Sequence, residues 1–339
     1  MLFSVIIPAY NAQATILRCL NSIYTLPVKE TEYEVIVIDD CSTDDTVETV
    51  NEFGSHHSNL RVLLQPENHR QGAARNRGLS IAIGKYIVFL DSDDEIEPGI
   101  LPSLSFAEEC DLEITTLRVS KVCDDERVTE EFDLPYSRND IFTGIELQEN
   151  HPFWCTAPWG YIYLRSFIEK VGYPFHEDVV YEDTDFILFH LYHSTRTGYS
   201  DELSYRVHNN PESTTNTFSY GLICDYALLG TRLIWLYNRI DNSTPVFADT
   251  LREGGIYRIM KSFRSIFRLK SFSDIRAFYD RFDSHSDRKS YLYYIKPAYR
   301  WSKWSRFCLK HRKLTILIVG IVISTPLINC LEFIKKKYA

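Results

Sequence analysis

Three acidic residues that directly follow a short apolar run suit metal chemistry. Asp91, Asp93 and Asp94 come after the run Tyr86 to Leu90. Carboxylates at positions i and i+2 beyond a strand can turn toward one point, and such hard oxygen ligands suit Mg²⁺ or Mn²⁺, which also bind substrate phosphates. The alternative is a solvated turn or a helix N-cap at Ser92 or Asp93. Because three crowded acids are costly without a cation or bound waters, the pattern favours a metal site.

A second acidic pair could hold a nucleoside. Asp39 and Asp40 follow the apolar run Tyr33 to Ile38. A carboxylate at the end of a strand can accept hydrogen bonds from a base or a ribose. In the alternative interpretation, the segment serves only to start the next helix, with Ser42 or Thr43 as its cap.

A basic segment with two glycines runs from Asn68 to Gly78. Gly72 permits close backbone approach, and the start of the following helix offers free N–H groups to a phosphate. Arg75 could bind a diphosphate through two N–H groups, or the segment could be a solvated helix face. The segment matches neither the P-loop nor the G-x-G-x-x-G fingerprint.

A further acidic group, Glu182 and Asp183, could supply a general base. Such a base must lie apart from the metal yet within hydrogen-bond reach of an acceptor hydroxyl. The alternative is an acidic first turn of the helix predicted at Phe186 to Tyr192, where the helix dipole favours negative charge.

The elements that must position these groups alternate between strand and helix. Continuous apolar runs predict strands at Phe3 to Ile7, Tyr33 to Ile38, Leu60 to Leu64 and Tyr86 to Leu90, with helical patterns between them. Such runs are typical of a parallel sheet covered on both faces, which places the chain in the α/β class. Ligands of these sheets bind beyond the carboxyl ends of the strands, where the first two acidic groups lie. Asp201 to His208 predicts an edge strand, and the pattern is helical from Phe218 onward.

Composition excludes several classes of protein. The chain has 339 residues, of which 45% are hydrophobic and 24% charged, so it is neither disordered, collagen-like nor a small disulfide scaffold. Its eight cysteines include no C-x-x-C pair, which favours reduced thiols in the cytoplasm. Met1 to Ala9 lacks the basic n-region of a secretory signal.

Charge is divided along the chain. Residues 1–250 carry an excess of 23 acidic side chains, whereas residues 251–339 carry an excess of 14 basic ones. The acidic part argues against nucleic-acid binding. The uncharged run Leu314 to Leu331 has basic residues on both flanks, so we expect the end of the chain to span a membrane or to lie in its interface. A buried C-terminal helix is the alternative.

Four motifs in this order resemble those of the family 2 inverting glycosyltransferases, over residues 2–215. They are Val5-Ile6-Ile7-Pro8-Ala9-Tyr10-Asn11, Val37-Ile38-Asp39-Asp40-Cys41-Ser42-Thr43-Asp44, Gly72-Ala73-Ala74-Arg75-Asn76-Arg77-Gly78-Leu79 and Tyr86-Ile87-Val88-Phe89-Leu90-Asp91-Ser92-Asp93-Asp94. Glu182-Asp183 matches the ED element of that family. The resemblance implies the GT-A fold: a mostly parallel sheet flanked by helices, with a Rossmann-like nucleotide-binding half, followed here by a helical region.

The resemblance also implies a role for each motif. Asp91 and Asp93 would form the D-x-D motif that binds Mn²⁺ or Mg²⁺, supported by Asp94. Arg75 would face the diphosphate, and Asp183 would be the base, with Glu182 as the fallback. The remaining nucleotide-sugar-binding residues would be Pro8, Ala9, Tyr10, Asn11, Asp39, Asp40 and Ser92, alongside Asp91 and Arg75.

The resemblance implies sugar transfer from a nucleotide-sugar donor, by base rate a UDP sugar, to a glycan or lipid-linked acceptor at the cytoplasmic membrane face. The sequence has no Q-x-x-R-W motif and at most one candidate membrane segment, which favours addition of a single sugar over chain synthesis. A nucleotidyltransferase and a non-catalytic nucleotide-sugar-binding subunit are the alternatives. Cys41 stands where the family usually has glycine, so we expect a turn that does not require positive φ. The expected domains are a catalytic domain (1–215), a helical, increasingly basic extension (216–313) and a membrane-associated helix (314–339).

Overall fold

The computed structural model describes residues 1–123, 127–137, 140–210, 219–240, 244–266 and 272–285. The chain divides into two compact units between residues 211 and 212. The first unit contains the sheet, and the described part of the second is helical. The functions assigned above to the domains stay predictions.

The described residues of the first unit form one sheet with helices packed on it. Its strands are β1 (Phe3–Ala9), β2 (Tyr33–Asp39), β3 (Leu60–Leu64), β4 (Tyr86–Phe89), β5 (Glu95–Ile96), β6 (Ile114–Val122), β7 (Val128–Phe132), β8 (Ile141–Phe142), β9 (Tyr161–Leu164) and β10 (Thr197–His208). Its helices are α1 (Ile16–Tyr24), α2 (Thr46–Gly54), α3 (Arg70–Ile81), α4 (Ile100–Glu109), α5 (Gly144–Asn150), α6 (Arg165–Val171) and α7 (Asp183–His193).

The strand order is β3-β2-β1-β4-β9-β6-β10-β5, with β7 beside β6 and β8 beside β10. The four strands nearest the N-terminus pair in parallel, and so do β6 and β10. β9 lies antiparallel between β4 and β6 and joins these two parallel groups. The predicted α/β class is confirmed, with a sheet that is mixed as a whole and parallel where the first motifs lie.

Continuous apolar strands are buried on both faces, as their composition predicts. Along β1, Val5 and Ile7 pack in the cluster that contains α1, whereas Ile6 points to the opposite cluster with Ala74 of α3. Burying each such side chain contributes about 1.5–3 kcal/mol. A Cβ atom on Gly78 would lie 2.4 Å from Ile6 Cγ2, so the glycine allows α3 to lie close to β1. The strands and α3 thereby fix the positions of the loops at the carboxyl edge.

The predicted edge strand at Asp201 to His208 is wrong in one respect. β10 begins earlier, at Thr197, and has partners on both sides: β6 on one, and β5 and β8 on the other. Asp201 and Glu202 are exposed because the pairing with β6 shifts register between Ser200 and Leu203, where the strand is irregular. Because of this local bulge, β10 has exposed acids although it has neighbours on both sides. Its sequence therefore resembles that of an edge strand.

The described part of the second unit consists of α8 (Tyr220–Tyr237), α9 (Pro245–Ser265) and α10 (Phe272–His285). The predicted helical region is confirmed for these described stretches. Asp225 is fully buried and pairs with Arg281, whose Nη2 lies 2.7 Å from Asp225 Oδ1. No helix among the described residues is long and apolar enough to cross a membrane. The run Leu314 to Leu331 lies outside the described residues.

Candidate active site

The loops that follow β1 and β2 are tied to each other at the carboxyl edge of the sheet. Asn11 N–H donates to Ser42 Oγ over 2.9 Å, and Thr43 N–H donates to Asn11 Oδ1 over 2.8 Å. Asn11 takes a φ of 49°, a conformation that asparagine tolerates better than most residues. Pro8 and Ala9 are buried at the end of β1, whereas Tyr10 is 50% exposed. The loop therefore presents Tyr10 to solvent from a fixed backbone.

Asp39 and Asp40 are both buried, but their carboxylates have different surroundings. Asp40 Oδ1 accepts hydrogen bonds from Gln65 Nε2 at 2.6 Å and from His69 N–H at 2.8 Å, while burial raises the pKa of Asp40. Asp39 Oδ2 accepts from Ser42 N–H at 3.0 Å. Its other oxygen, Oδ1, is buried with no hydrogen-bond partner among the described residues. Of the two acids, Asp39 has the acceptor available for a ligand.

The turn after Asp40 does adopt positive φ. Cys41 has a φ of 67°, so the expectation that this turn does not require positive φ is wrong. A side chain in this left-handed region costs about 1–2 kcal/mol relative to glycine. Hydrogen bonds on both sides hold the turn, one to Asp39 Oδ2 from Ser42 and one to the Asp40 carbonyl from Asn68 Nδ2 at 3.1 Å.

Helix α1 holds the backbone of the acidic turn that follows β4. Arg18 Nη2 donates to the Asp93 carbonyl oxygen at 2.5 Å, and Ile96 N–H donates to Ser22 Oγ at 3.0 Å. Cys19 Sγ lies 3.6 Å from the Asp91 carbonyl oxygen. These contacts fix the turn independently of its carboxylates.

Within this turn, both carboxylate oxygens of Asp94 accept hydrogen bonds from β10. Its Oδ2 accepts from the Tyr205 hydroxyl at 2.9 Å and its Oδ1 from His208 N–H at 2.8 Å. The same hydroxyl accepts from Asp91 N–H at 3.1 Å. Burial, followed by the charges of Asp91 and Asp93, raises the pKa of Asp94 well above its usual value. Asp94 therefore links the turn to β10.

The three preceding residues, Asp91, Ser92 and Asp93, are half-buried. Asp93 Oδ2 accepts from Asn210 Nδ2 at 2.8 Å, and burial together with the charge of Asp91 raises the pKa of Asp93. A positive charge between these two carboxylates would offset their mutual repulsion. Hard oxygen donors of this kind fit Mn²⁺ or Mg²⁺, whose other ligands are water and phosphate. Within the described ranges, no group of three or more His, Cys, Asp or Glu side chains has a metal-binding arrangement.

Arg75 joins this turn to the second acidic pair. Its Nη2 donates to Asp91 Oδ1 at 2.8 Å, and its Nη1 forms a short ion pair with Glu182 Oε1. Arg75 is only 1% exposed. The resemblance implies that Arg75 faces a diphosphate; its guanidinium here lies between two carboxylates, and contact with a diphosphate stays a prediction.

Asp183 is the first residue of α7, directly after Glu182. It is partly buried, and burial together with the charge of Glu182 raises the pKa of Asp183 to about 7, against the opposing effect of Arg75. A carboxyl group that titrates near neutral pH is matched to general-base work. The structure thus brings Asp91, Arg75, Glu182 and Asp183 into one cluster.

Two asparagines that support the site, Asn76 and Asn210, were not identified as such from the sequence. Asn76 exchanges two hydrogen bonds with the backbone of Phe175, each 2.9 Å, and thereby holds the segment before Glu182 against α3. The motif resemblance also points to Trp159 and Tyr205 as acceptor-side residues. Their rings stack with centroids 5.1 Å apart, and their role at the acceptor stays a prediction. Asn76 lies within a recognised motif, which is a signal that could have been used, whereas no signal in the sequence points to Asn210.

The model of the family described as Glycosyl transferase family 2 matches residues 4–172 of this chain. The match includes β1 to β4, the D-x-D turn and Arg75, and ends before Glu182. Together with the fold, it shows that the chain belongs to glycosyl transferase family 2. The resemblance read from the motifs is confirmed.

Similar proteins come from bacteria and archaea. The uncharacterized glycosyltransferase YibD of Escherichia coli K12 is 31% identical over 224 residues, covering 62% of this chain and 62% of YibD. The poly(ribitol-phosphate) β-N-acetylglucosaminyltransferase TarS of Staphylococcus aureus Mu50 is 36% identical over 124 residues, covering 36% of this chain and 22% of TarS. The chain therefore spans less than two thirds of the length of these relatives.

Two solved structures share the fold. Residues 1–349 of S. aureus TarS in complex with UDP-GlcNAc superpose with a TM-score of 0.65 at 21% identity, covering 95% of this chain and 90% of that one. The mannosyltransferase PcManGT of Pyrobaculum calidifontis, in complex with GDP-Man and Mn²⁺, gives 0.54 at 14% identity, covering 94% and 86%. These likenesses confirm the GT-A fold.

Proposed function

We propose that this chain transfers a single sugar from a nucleotide-sugar donor to a hydroxyl of a growing glycan or lipid-linked acceptor, with inversion at the anomeric carbon. The observation that carries the proposal is the cluster formed by Asp91, Arg75, Glu182 and Asp183. It places a candidate metal-binding turn beside a carboxyl group whose pKa is about 7. Family membership supports a glycosyltransferase over a nucleotidyltransferase.

The donor would lie at the carboxyl edge of the parallel strands. We assign the nucleoside to the loop Pro8–Asn11 and to Asp39, whose buried Oδ1 has no partner in the described structure. Asp40 supports this loop through its bonds to Gln65 and His69. The UDP-GlcNAc bound to a structure of similar fold supports a UDP-linked donor as the first to test.

Asp91 and Asp93 would hold Mn²⁺ or Mg²⁺. Ser92, which lies between them in the sequence, would contact the nucleotide-sugar donor. When bound, such a cation stabilises the negative charge of the departing diphosphate. Asp183 accepts the proton of the acceptor hydroxyl, which then attacks the anomeric carbon from the side opposite the leaving group. Glu182 is the alternative base, although its carboxylate is already paired with Arg75.

The acceptor assignment depends on the named relatives. Because TarS is named for transfer to poly(ribitol-phosphate), a bacterial surface glycan is a suitable first acceptor class. The basic, aromatic end of the chain supports action at the cytoplasmic face of a membrane, where lipid-linked acceptors are available.

Transfer assays with Mn²⁺ and a panel of UDP sugars test the proposal. We expect Asp183→Asn to lower kcat by ~10²-fold or more, in line with the ~10²–10⁴-fold effect of general acid–base groups. Asp93→Ala, which removes a metal ligand, should lower kcat by ~10²-fold or more as well. Asp201→Asn, which changes an exposed acid on β10, is the matched control and should keep full activity. Full activity of both site variants would contradict the assignment. Binding of UDP without turnover on any acceptor would instead support a non-catalytic nucleotide-sugar-binding subunit.

A further inference from the structure

Arg75 is a fully enclosed cation that connects two parts of the site from distant regions of the chain. Its two terminal nitrogens reach Asp91 and Glu182, which are 16 and 107 residues away along the chain. Gln71, one turn earlier on α3, accepts a third bond from Nη2 at 3.3 Å. The guanidinium carbon also lies 5.5 Å from the centre of the Phe175 ring. The two terminal nitrogens are thus held by side chains, whereas the buried Nε has no hydrogen-bond partner among the described residues.

The helix that carries Arg75 is fitted to the segment that leads to Glu182. A Cβ atom on Gly72 would lie 2.0 Å from the His176 carbonyl oxygen and 3.2 Å from Glu182 Cγ. One turn further along α3, Asn76 binds the backbone of Phe175. The close approach of α3 therefore determines where Glu182 and the adjoining Asp183 lie.

We propose that Arg75 is a positioning residue, which holds Glu182 in place beside Asp183 and provides the positive charge next to the base. Like the assignment of Asp183 as the base, this inference rests on the proposed function. It gives Arg75 a task within the protein that differs from direct contact with a diphosphate.

Two charged side chains act on Asp183. Burial is the main cause that raises the pKa of Asp183, the charge of Glu182 raises it further, and Arg75 on α3 lowers it. Cys155, which precedes β9, and Tyr163 of β9 lie close enough to interact, but burial raises the pKa of the Cys155 thiol to about 12 and that of Tyr163 well above its usual value. Both are therefore neutral near pH 7, and Arg75 is the positive charge among these neighbours that offsets Glu182.

The experiment compares Arg75→Met with Arg77→Met. Arg77 lies on the same helix and donates to the Leu64 carbonyl oxygen at 2.7 Å, so its loss changes the net charge equally outside the cluster. The side-chain carboxyl of Asp183 is titrated by NMR in the full chain without donor or metal, with Asp183→Asn to assign its signal. In Arg75→Met, loss of the opposite charge should raise the midpoint by ~1–3 pH units, whereas Arg77→Met should leave it unchanged.

Equal midpoints in the two variants would overturn the inference. If Arg75→Met does not fold, Arg75→Lys replaces it. Because the single ammonium of lysine cannot hold both carboxylates, the midpoint should rise by a smaller step. An unchanged midpoint in this variant would also overturn the inference. Because the titration needs no substrate, it separates this inference from the proposed function. Where transfer is measurable, the acid limb of kcat should move with the NMR midpoint.

Discussion

Asp39 and Asp40 show how two adjacent acids of the same type can have different tasks. Asp40 accepts hydrogen bonds from a side chain and a backbone N–H of the segment after β3. Asp39 instead keeps one buried oxygen without a partner among the described residues. A buried acceptor without a hydrogen bond costs ~1–3 kcal/mol. A nucleoside N–H or hydroxyl that binds there would recover this energy, which is why we assign the nucleoside to Asp39.

We predict that Asp39→Asn weakens UDP binding by ~10–100-fold, the equivalent of ~1.4–2.7 kcal/mol. The amide oxygen can still accept from Ser42, which turns the NH₂ group toward the position of Oδ1 and replaces an acceptor with a donor. Calorimetric titration with UDP and Mn²⁺ measures the effect. Asp45→Asn, on an exposed acid before α2, is the control, and equal affinity of both variants would contradict the assignment.

At this scale the sequence predicted where the acidic residues lie better than which residues they contact. The positions of Asp91, Asp93 and Asp183 beside strand and helix ends follow from local patterns. The pairing of Arg75 with Glu182 joins residues far apart along the chain, so no local pattern contains it. The φ of Cys41 was wrongly predicted because residue type is only a weak guide to a turn that its neighbours hold in place.

Helix α3 is the element on which the site depends most. It packs on β1 through Gly78, contacts the segment before Glu182 through Gly72 and carries Arg75 between them. Small residues on two sides let the helix approach a strand and a loop together. Because α3 is fixed on the sheet, it also fixes where Glu182 and Asp183 lie relative to the sheet.

We predict that Gly72→Ala disrupts the site, because its methyl group would lie 2.0 Å from the His176 carbonyl oxygen. The backbone must move, at a cost of ~1–3 kcal/mol in the free energy of unfolding, and Glu182 must move with it. Gly221→Ala is the control: its nearest atom would be Ser219 Oγ at 3.8 Å, so this helical position should gain up to ~1 kcal/mol. Denaturant unfolding and transfer assays of both variants check the prediction, which would fail if Gly72→Ala were as stable and active as the wild type.

Helix α7 contains a buried titratable group. His190 Nδ1 lies 2.8 Å from the Phe186 carbonyl oxygen, and burial lowers the pKa of His190 to about 4. The unfolded chain, with an ordinary histidine pKa of ~6.5, therefore binds more protons between these values. Acid must favour unfolding in this range.

We expect this histidine to cost about 1 kcal/mol of stability per pH unit as the pH falls from ~6.5 toward 4, and nothing above that range. His190→Leu removes the group, so the difference in melting temperature between variant and wild type should grow in favour of the variant between pH 7 and pH 5. A difference that stays constant over this interval would exclude the contribution of His190.

The elements themselves were largely predictable. β3 has the predicted bounds, and β2 and β4 each differ from the prediction by one residue at the carboxyl end, because their apolar patterns are complete within the element. β10 was wrongly identified as an edge strand, since its exposed acids reflect an irregular register rather than the lack of a neighbour. Local composition reports exposure, and pairing partners must be learned from the fold.

For the whole molecule, the division of charge predicts behaviour at a membrane. The excess of 14 basic side chains in residues 251–339 should attract anionic lipid at ~1 kcal/mol for each Lys or Arg near the surface. We predict that the full chain sediments with vesicles containing anionic lipid and that a chain ending at residue 313 binds more weakly. The run 314–331 lies outside the described residues, so this prediction rests on sequence alone.

Salt distinguishes the two components of this binding. Raising the ionic strength to ~1 M shortens the Debye length to ~3 Å and should release protein held by charge alone, whereas an inserted apolar helix should remain bound. Vesicles of neutral lipid are the control. Failure of the full chain to bind anionic vesicles at low salt would contradict the expectation.

The order of strands across the sheet was beyond sequence reasoning. The first motifs predict the parallel group β1 to β4, but β9 pairs with β4 although more than 70 residues separate them. Such pairing depends on the path of the whole chain. It also brings Tyr163 of β9 close to Asp183, so part of the environment of the candidate base follows from a long-range strand pairing.

The insertion of β9 also sets a condition on synthesis. Until residues 161–164 have left the ribosome, one edge of β4, the strand that carries the D-x-D turn, has no neighbour. The nascent chain then exposes an apolar strand edge of the kind that pairs with other chains, and at ~5–20 residues per second it does so for several seconds. Covering this edge during translation therefore lowers the risk of pairing with other chains, a risk that is separate from the stability of the finished fold.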